Sequence, residues 1–156
     1  MGALCQMTEA VLTPAGIRLN CTASSREEAV QFVGNLLVDM GAVEPAYVPA
    51  MWERELIMSS FIGESTAIPH GTQASRIHVN FAQLGLLRFT APIDWDGDEV
   101  SLVIGIASAN DDHVETLGQL AEVLMDAQKR QILFTSITVI LASSRRRLLG
   151  MKLQAR

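Results

Sequence analysis

Glu99-Val100-Ser101-Leu102-Val103-Ile104-Gly105-Ile106-Ala107-Ser108 is apolar almost without interruption. A run of that length and character reads as a strand covered on both faces rather than one with a wet side. Just before it, Asp94-Trp95-Asp96-Gly97-Asp98 is a turn, and Arg76 to Leu84 is a candidate strand. Ile137 to Leu141 is a last strand, and Ile17-Arg18-Leu19-Asn20-Cys21 alternates as a short first one. Helical signals lie between them. Ser25-Arg26-Glu27-Glu28 is a capping box, in which the Ser25 hydroxyl accepts an early amide while Glu28 reaches back. Ala29, Val30, Phe32, Val33, Leu36 and Leu37 then recur at helical spacing, and Gly41 supplies a left-handed stop after Met40. A second helix starts near Glu44-Pro45, with Pro45 in its first turn, carries Tyr47, Met51 and Trp52, and ends beyond Arg54. Pro49 either kinks that helix or moves its start one turn on. Asn110-Asp111-Asp112 caps a third helix, where Leu117, Leu120, Ala121 and Leu124 repeat at helical spacing. Helices and strands interleave, so the fold class is α/β, a mixed β-sheet flanked by helices.

The chain has 156 residues and no internal repeat, low-complexity tract or interior linker, so one domain over residues 1–156 is expected. Residues 1–11 are a poorly specified leader, closed by a turn at Pro14-Ala15-Gly16. Apolar residues make up 49%, enough for a real core and too many for wholesale disorder. Twelve Lys+Arg against seventeen Asp+Glu leave a net charge of −5, which argues against nucleic-acid binding by bulk electrostatics. The longest apolar run, Ile132 to Ala142, contains Thr135, Ser136 and Thr138 and falls short of the roughly 18 residues a membrane helix needs, so no direct membrane insertion is expected. No basic region with an apolar core behind it opens the chain, so no secretory signal is apparent. Cys5 and Cys21 form no CxxC pair and no disulfide framework, which suits a reducing cytoplasm.

Motifs for P-loop nucleotide binding, dinucleotide binding, zinc hydrolysis and the serine nucleophile elbow are all missing, so neither a cofactor nor a metal is expected. The remaining chemistry sits on a few side chains. His70 lies between Pro69, which fixes the approach of the backbone, and Gly71, which removes a side chain beside the imidazole. That leaves a ring nitrogen open to a large incoming group; the bland alternative is a structural loop histidine. His113 stands at a helix start just past an apolar strand, where anions collect, or it merely caps the helix. Arg54 offers a planar fork for phosphate and is otherwise a solvated helix charge. Glu64 can accept a bond from a histidine or an arginine. His78, inside a strand pattern, is a surface or pairing residue. The Asp94–Asp98 turn lacks the twelve-residue pattern and closing Glu of a calcium loop.

Taken together, Gly63-Glu64-Ser65-Thr66-Ala67-Ile68-Pro69-His70-Gly71-Thr72 closely resembles the active-site segment of enzyme IIA domains of the bacterial phosphotransferase system, mannitol–fructose class. Gly41-Ala42-Val43-Glu44-Pro45-Ala46-Tyr47-Val48, Ala50-Met51-Trp52-Glu53-Arg54-Glu55, Leu102-Val103-Ile104-Gly105-Ile106-Ala107 and Asn110-Asp111-Asp112-His113 also look like that class. The likeness runs from about Leu12 to about Asp126, and the mannitol branch is the nearest within the class, through the Gly-Glu-Ser lead-in and the placing of His113. The resemblance implies the single-domain type-2 enzyme IIA fold. It implies that His70 is the residue phosphorylated, on its tele nitrogen, that Arg54 and His113 line the phosphoryl site, and that Glu64 is an acidic neighbour. Such a phosphotransferase component takes a phosphoryl group from phospho-HPr. It passes the group to a cysteine of an enzyme IIB domain, which phosphorylates a sugar alcohol such as mannitol as it enters the cell.

Elementary chemistry agrees with those roles. A neutral imidazole is a good nucleophile near pH 7. The phosphoryl group is anionic in flight, so catalysis is positioning plus charge stabilisation by Arg54, His113 and backbone amides near Gly71. An exposed apolar rim around His70 would suit two successive partners. A second reading, a regulatory module of the nitrogen-regulatory type, keeps the phosphorylated His70 but lacks an enzyme IIB acceptor. The short leader and absence of a linker favour a separate subunit over a piece of a fused permease. Residues 127–156 depart from the family: five of the last twelve residues are Lys or Arg, where family members usually finish with an ordinary amphipathic helix.

Overall fold

A computed structural model describes residues 13–109. The leader, the third helix, His113, the strand expected at 137–141 and the basic segment 127–156 lie outside them. Within them a five-stranded mixed sheet forms from β1 (Ile17–Cys21), β2 (Phe61–Gly63), β3 (Thr66–Ala67), β4 (Gln83–Trp95) and β5 (Asp98–Ala107). The spatial order is β1-β4-β5-β3-β2. β1 runs parallel to β4, β4 antiparallel to β5, β5 parallel to β3, and β3 antiparallel to β2. Every residue of β5 from Leu102 to Ala107 is buried, as a strand covered on both faces requires.

The α1 helix (Arg26–Asp39) begins on the Ser25 hydroxyl, which accepts from the Glu28 amide at 3.1 Å. The return arm of the box lands one residue early. The Glu28 carboxylate accepts from the amide and hydroxyl of Ser24, which hold its carboxyl below the usual range. At the other end Gly41 has φ +79°, and the amides of Gly41 and Ala42 return to Val38 and Leu37, closing the helix with a Schellman motif. Ala29, Val30, Val33, Leu36 and Leu37 form the buried stripe; Phe32, off that stripe, stays 37% exposed.

The α2 helix (Tyr47–Ile57) resolves the Pro49 ambiguity. It starts at Tyr47, two residues after Pro45, so Pro49 falls in its first turn, where no intrahelical donor is needed. Tyr47, Met51 and Glu55 are its buried residues, at four-residue spacing.

Two expectations are corrected. Arg76 to Leu84 is not a strand: Gln73–His78 winds as a 3-10 helix, Val79 makes a single bridge to Val43, and β4 opens only at Gln83. Of the alternating apolar residues only Val79 packs against the core; Ile77 is 81% exposed and Phe81 48%. The segment from Gly63 to Thr72, read as loop, contains β3 and half of a hairpin. Glu64 and Ser65 make its two-residue turn, both in the left-handed region at φ +52° and +55°.

Gly85 and Gly105 face each other across β4 and β5. Together they let Val33 of α1 sit close against the sheet. A Cβ on Gly105 would lie 2.5 Å from Val33 Cγ2, whereas one on Gly85 would meet nothing nearer than 3.3 Å. Gly105→Ala is therefore expected to cost about 1–3 kcal/mol in denaturant unfolding, and Gly85→Ala clearly less.

Candidate active site

The parallel pairing of β3 with β5 places His70. Thr66 lies opposite Leu102 and Ala67 opposite Val103, and the same alignment continues to a bridge between His70 and Ile106. The Ile106 amide donates to the Pro69 carbonyl at 3.0 Å. His70 thus sits at the carboxyl end of β5, the end at which ligands gather in α/β sheets. Its Nδ1 is 3.1 Å from the Ile68 carbonyl oxygen. A carbonyl only accepts, so the neutral ring carries its proton on Nδ1 and its lone pair on Nε2.

His70 and Arg54 line one cleft of about 370 Å³. Arg54 comes from the last turn of α2, where one N–H of its fork donates to the Met58 carbonyl at 3.0 Å. Tyr47, Thr72, Gln73, Arg76 and Ser108 complete the polar part of the wall. Glu64 stands at the exposed tip of the β2–β3 turn and is not among the cleft residues. His113 lies outside the described residues. His78 pairs with Glu44 at 3.2 Å, on a different element from the cleft histidine.

Tyr47, expected only as a residue of the second helix, is almost completely buried. Its hydroxyl does more. It donates to the Ile106 carbonyl at 2.7 Å and accepts from the Gly71 amide at 2.8 Å. Gly71 is required by that approach: a Cβ there would lie 2.5 Å from the Tyr47 ring and closer still to the Ser75 hydroxyl. The Gly71 amide is thereby engaged, so among the backbone amides of this segment it is not the one free to hold a phosphoryl oxygen. Arg76 was also missed, because its segment was read as a strand; the 3-10 helix turns it toward Tyr47 and the cleft. The signal available in the sequence was a tyrosine on a buried helix stripe, whose hydroxyl must find partners.

Large apolar side chains stand exposed on the elements that border the cleft. Leu56, Ile57 and Met58 follow Arg54, and Ile77 follows Arg76. Among the described residues no cluster of three or more His, Cys, Asp or Glu could hold a metal ion, and no helix is long and apolar enough to cross a membrane.

A family model described as "Phosphoenolpyruvate-dependent sugar phosphotransferase system, EIIA 2" matches residues 10–139. The chain belongs to this family. This enzyme IIA is 42% identical over 115 residues to the mannitol-specific phosphotransferase enzyme IIA component of Halalkalibacterium halodurans, covering 74% of the chain and 79% of that relative. Among solved structures it resembles the crystal structure of IIA mannitol from Escherichia coli, with 35% identity and a TM-score of 0.70 over 75% of this chain and 85% of that one. It also resembles a chain in the complex of enzyme IIA-mtl with phosphorylated enzyme IIB-mtl from Escherichia coli, with 31% identity and a TM-score of 0.71 over 85% of this chain and 97% of that one. The mixed sheet flanked by helices is the type-2 enzyme IIA fold.

Tyr47 is the single tyrosine of this enzyme IIA. Burial pushes its phenol above the ordinary value, against smaller opposing effects from the Gly71 amide and the Arg76 charge. A raised folded value means the folded state holds its proton where the unfolded state has lost it. The stabilisation is complete below the unfolded value of about 10 and is lost as the pH rises through the folded value. Phenolate absorbance should therefore appear above pH ~10, together with unfolding, in the wild type. Tyr47→Phe should unfold with a shallower alkaline slope; an unchanged slope would show that Tyr47 does not set it.

Proposed function

We propose that this enzyme IIA is a cytoplasmic phosphocarrier of a mannitol-type uptake system. It accepts a phosphoryl group from phospho-HPr on Nε2 of His70 and yields it to a cysteine of an enzyme IIB domain of the membrane permease. The observation that supports this most strongly is the His70 ring. Its proton is held on the Ile68 carbonyl, so the nucleophilic nitrogen is Nε2, in the cleft that Arg54 also lines.

In the forward step the Nε2 lone pair attacks phosphorus as the N–P bond of the donor histidine breaks. Nδ1 keeps its proton, and the Ile68 carbonyl dipole stabilises the positive charge that develops on the ring. Arg54 supplies the charged fork for the equatorial oxygens, with Arg76 nearby in the same wall. His113 is assigned the second imidazole of the site by its position in the Asn110-Asp111-Asp112-His113 motif. In the second step the enzyme IIB thiolate attacks the same phosphorus, the His70 N–P bond breaks, and its electron pair returns to Nε2. The similarity to mannitol-specific relatives supports a sugar alcohol, mannitol, as the transported solute. The exposed Leu56, Ile57, Met58 and Ile77 supply apolar area for two partners that use one face in turn.

Intact mass after incubation with phosphoenolpyruvate, enzyme I and HPr should show one acid-labile phosphoryl group, discharged on adding a mannitol-type enzyme IIB. His70→Ala should stay folded and take none; phosphate acceptance by that variant would sink the assignment. A phosphohistidine that enzyme IIB leaves in place would turn the reading to the regulatory type. Arg54→Ala should slow transfer on the order of 10²-fold, and a rate near wild type would remove Arg54 from the mechanism.

A further inference from the structure

Glu55 is 2% exposed, and no step above uses it. It is the third member of the buried stripe of α2, next to Arg54. Its Oε1 accepts from the Trp95 indole at 2.7 Å and from the Ser60 amide at 2.9 Å. Its Oε2 is buried with no hydrogen-bond partner among the described residues. An unpartnered buried carboxylate oxygen is costly, and a methionine of similar volume would avoid that cost. It would also orphan the Trp95 indole and the Ser60 amide, so the role of the acid lies in the groups it holds and where they lead.

The bonds beyond Glu55 lead to the phosphoryl acceptor. The Ser60 carbonyl accepts from the Ile68 amide at 3.0 Å, and the Ile68 carbonyl is the group facing Nδ1 of His70 at 3.1 Å. The N–H and C=O of Ser60 belong to different peptide units, and so do those of Ile68. The chain therefore transmits position, not polarisation. One carboxylate oxygen fixes Ser60, Ser60 fixes Ile68, and Ile68 fixes the tautomer and orientation of the ring. Trp95, 0% exposed at the end of β4, locks the anchor into the sheet.

We propose that Glu55 is a positioning residue, tethering the His70 segment through Ser60 and Ile68 so that the imidazole presents Nε2 unprotonated. The inference rests on the phosphocarrier reading for its purpose, but its structural claim is measurable without phosphate. Long-range nitrogen-15 correlation spectra of the whole unphosphorylated chain report which ring nitrogen bears the proton. The chain has three histidines, and His70→Ala assigns the signal. Free imidazole side chains favour the proton on Nε2, so the tether works against the intrinsic preference. Wild type should show His70 with its proton on Nδ1, and Glu55→Gln, which keeps an acceptor oxygen, should match it.

Glu55→Met should shift His70 toward the Nε2–H form. It should slow phosphoryl acceptance on the order of 10-fold in kcat, with KM for phospho-HPr nearly unchanged. If Glu55→Met does not fold, Glu55→Asp, which withdraws the oxygen by one methylene, carries the same expectation. Trp95→Phe, which removes only the donor outside the chain to His70, should leave the ring signals in place. Wild-type ring shifts in a folded Glu55→Met or Glu55→Asp would overturn the proposal, as would a tautomer shift in Trp95→Phe equal to that of Glu55→Met. Were wild type to take no phosphoryl group while the ring signals moved as expected, the tether would stand and the phosphocarrier reading would fall.

Discussion

A single hydroxyl holds the site together. Tyr47 reaches from the first turn of α2, donates to the Ile106 carbonyl of β5 and accepts the amide of Gly71, so helix, sheet and the segment bearing His70 meet on one oxygen. Each of those backbone groups would otherwise be a buried polar atom in need of a partner. The sequence Pro69-His70-Gly71 makes sense only with that hydroxyl in place. Pro69 has no amide to offer but gives its carbonyl to Ile106, and Gly71 has no Cβ to block the phenol. His70 is then the one residue of the three whose side chain is left to face the cleft. The cost is that the Gly71 amide is spent on structure.

Much of the fold could be read from residues whose job is local. Ser25 and Gly41 bracket α1 because capping and left-handed stops are decided within one turn of chain. The run from Val100 to Ala107 marked β5 because a strand buried on both faces has no polar side to show. What failed was whatever depends on distant partners. The alternation in Ile77, Val79 and Phe81 looks like a strand, yet Ile77 and Phe81 face outward and only Val79 finds a bridge. The β2–β3 hairpin was invisible for a different reason. Its turn places Glu64 and Ser65 in a conformation their side chains disfavour, and it holds because the Ser65 carbonyl takes two amides from β5, at Ser101 and Leu102.

The candidate site shows the same division. His70 and Arg54 were picked out by chemistry and by resemblance, and the fold brings both to one cleft although they come from different elements. Glu64 belongs to the same motif but stands at the hairpin tip, where its exposed position bears on the turn first. Neither Tyr47 nor Glu55 stands out in the sequence: one is a residue of a helix pattern, the other the end of the Ala50–Glu55 motif. Only the structure reveals that the Tyr, Met, Glu spacing of α2 alternates purposes. Met51 fills the core, while the two polar members reach the His70 segment from either side: Tyr47 at Gly71, Glu55 through Ser60 and Ile68. A buried polar residue on an otherwise apolar stripe is therefore the more informative sign, since it must be repaid by a specific partner.

A carrier that gives and receives the same group gains from this rigidity. Phosphoryl transfer in either direction should require little reorganisation if the ring, its tautomer and the guanidinium are already placed, because electrostatic and entropic costs are then met on folding and not during each encounter. Such a site cannot also clamp its partners: a donor held tightly would block the acceptor that needs the same face. The surface around the cleft fits that demand. Its exposed apolar residues are few, and they sit on the end of α2 and on the 3-10 helix, the two elements that carry Arg54 and Arg76. A partner docking on those residues would touch the same short elements that present the two arginines, so encounter and chemistry would be aligned by the fold itself.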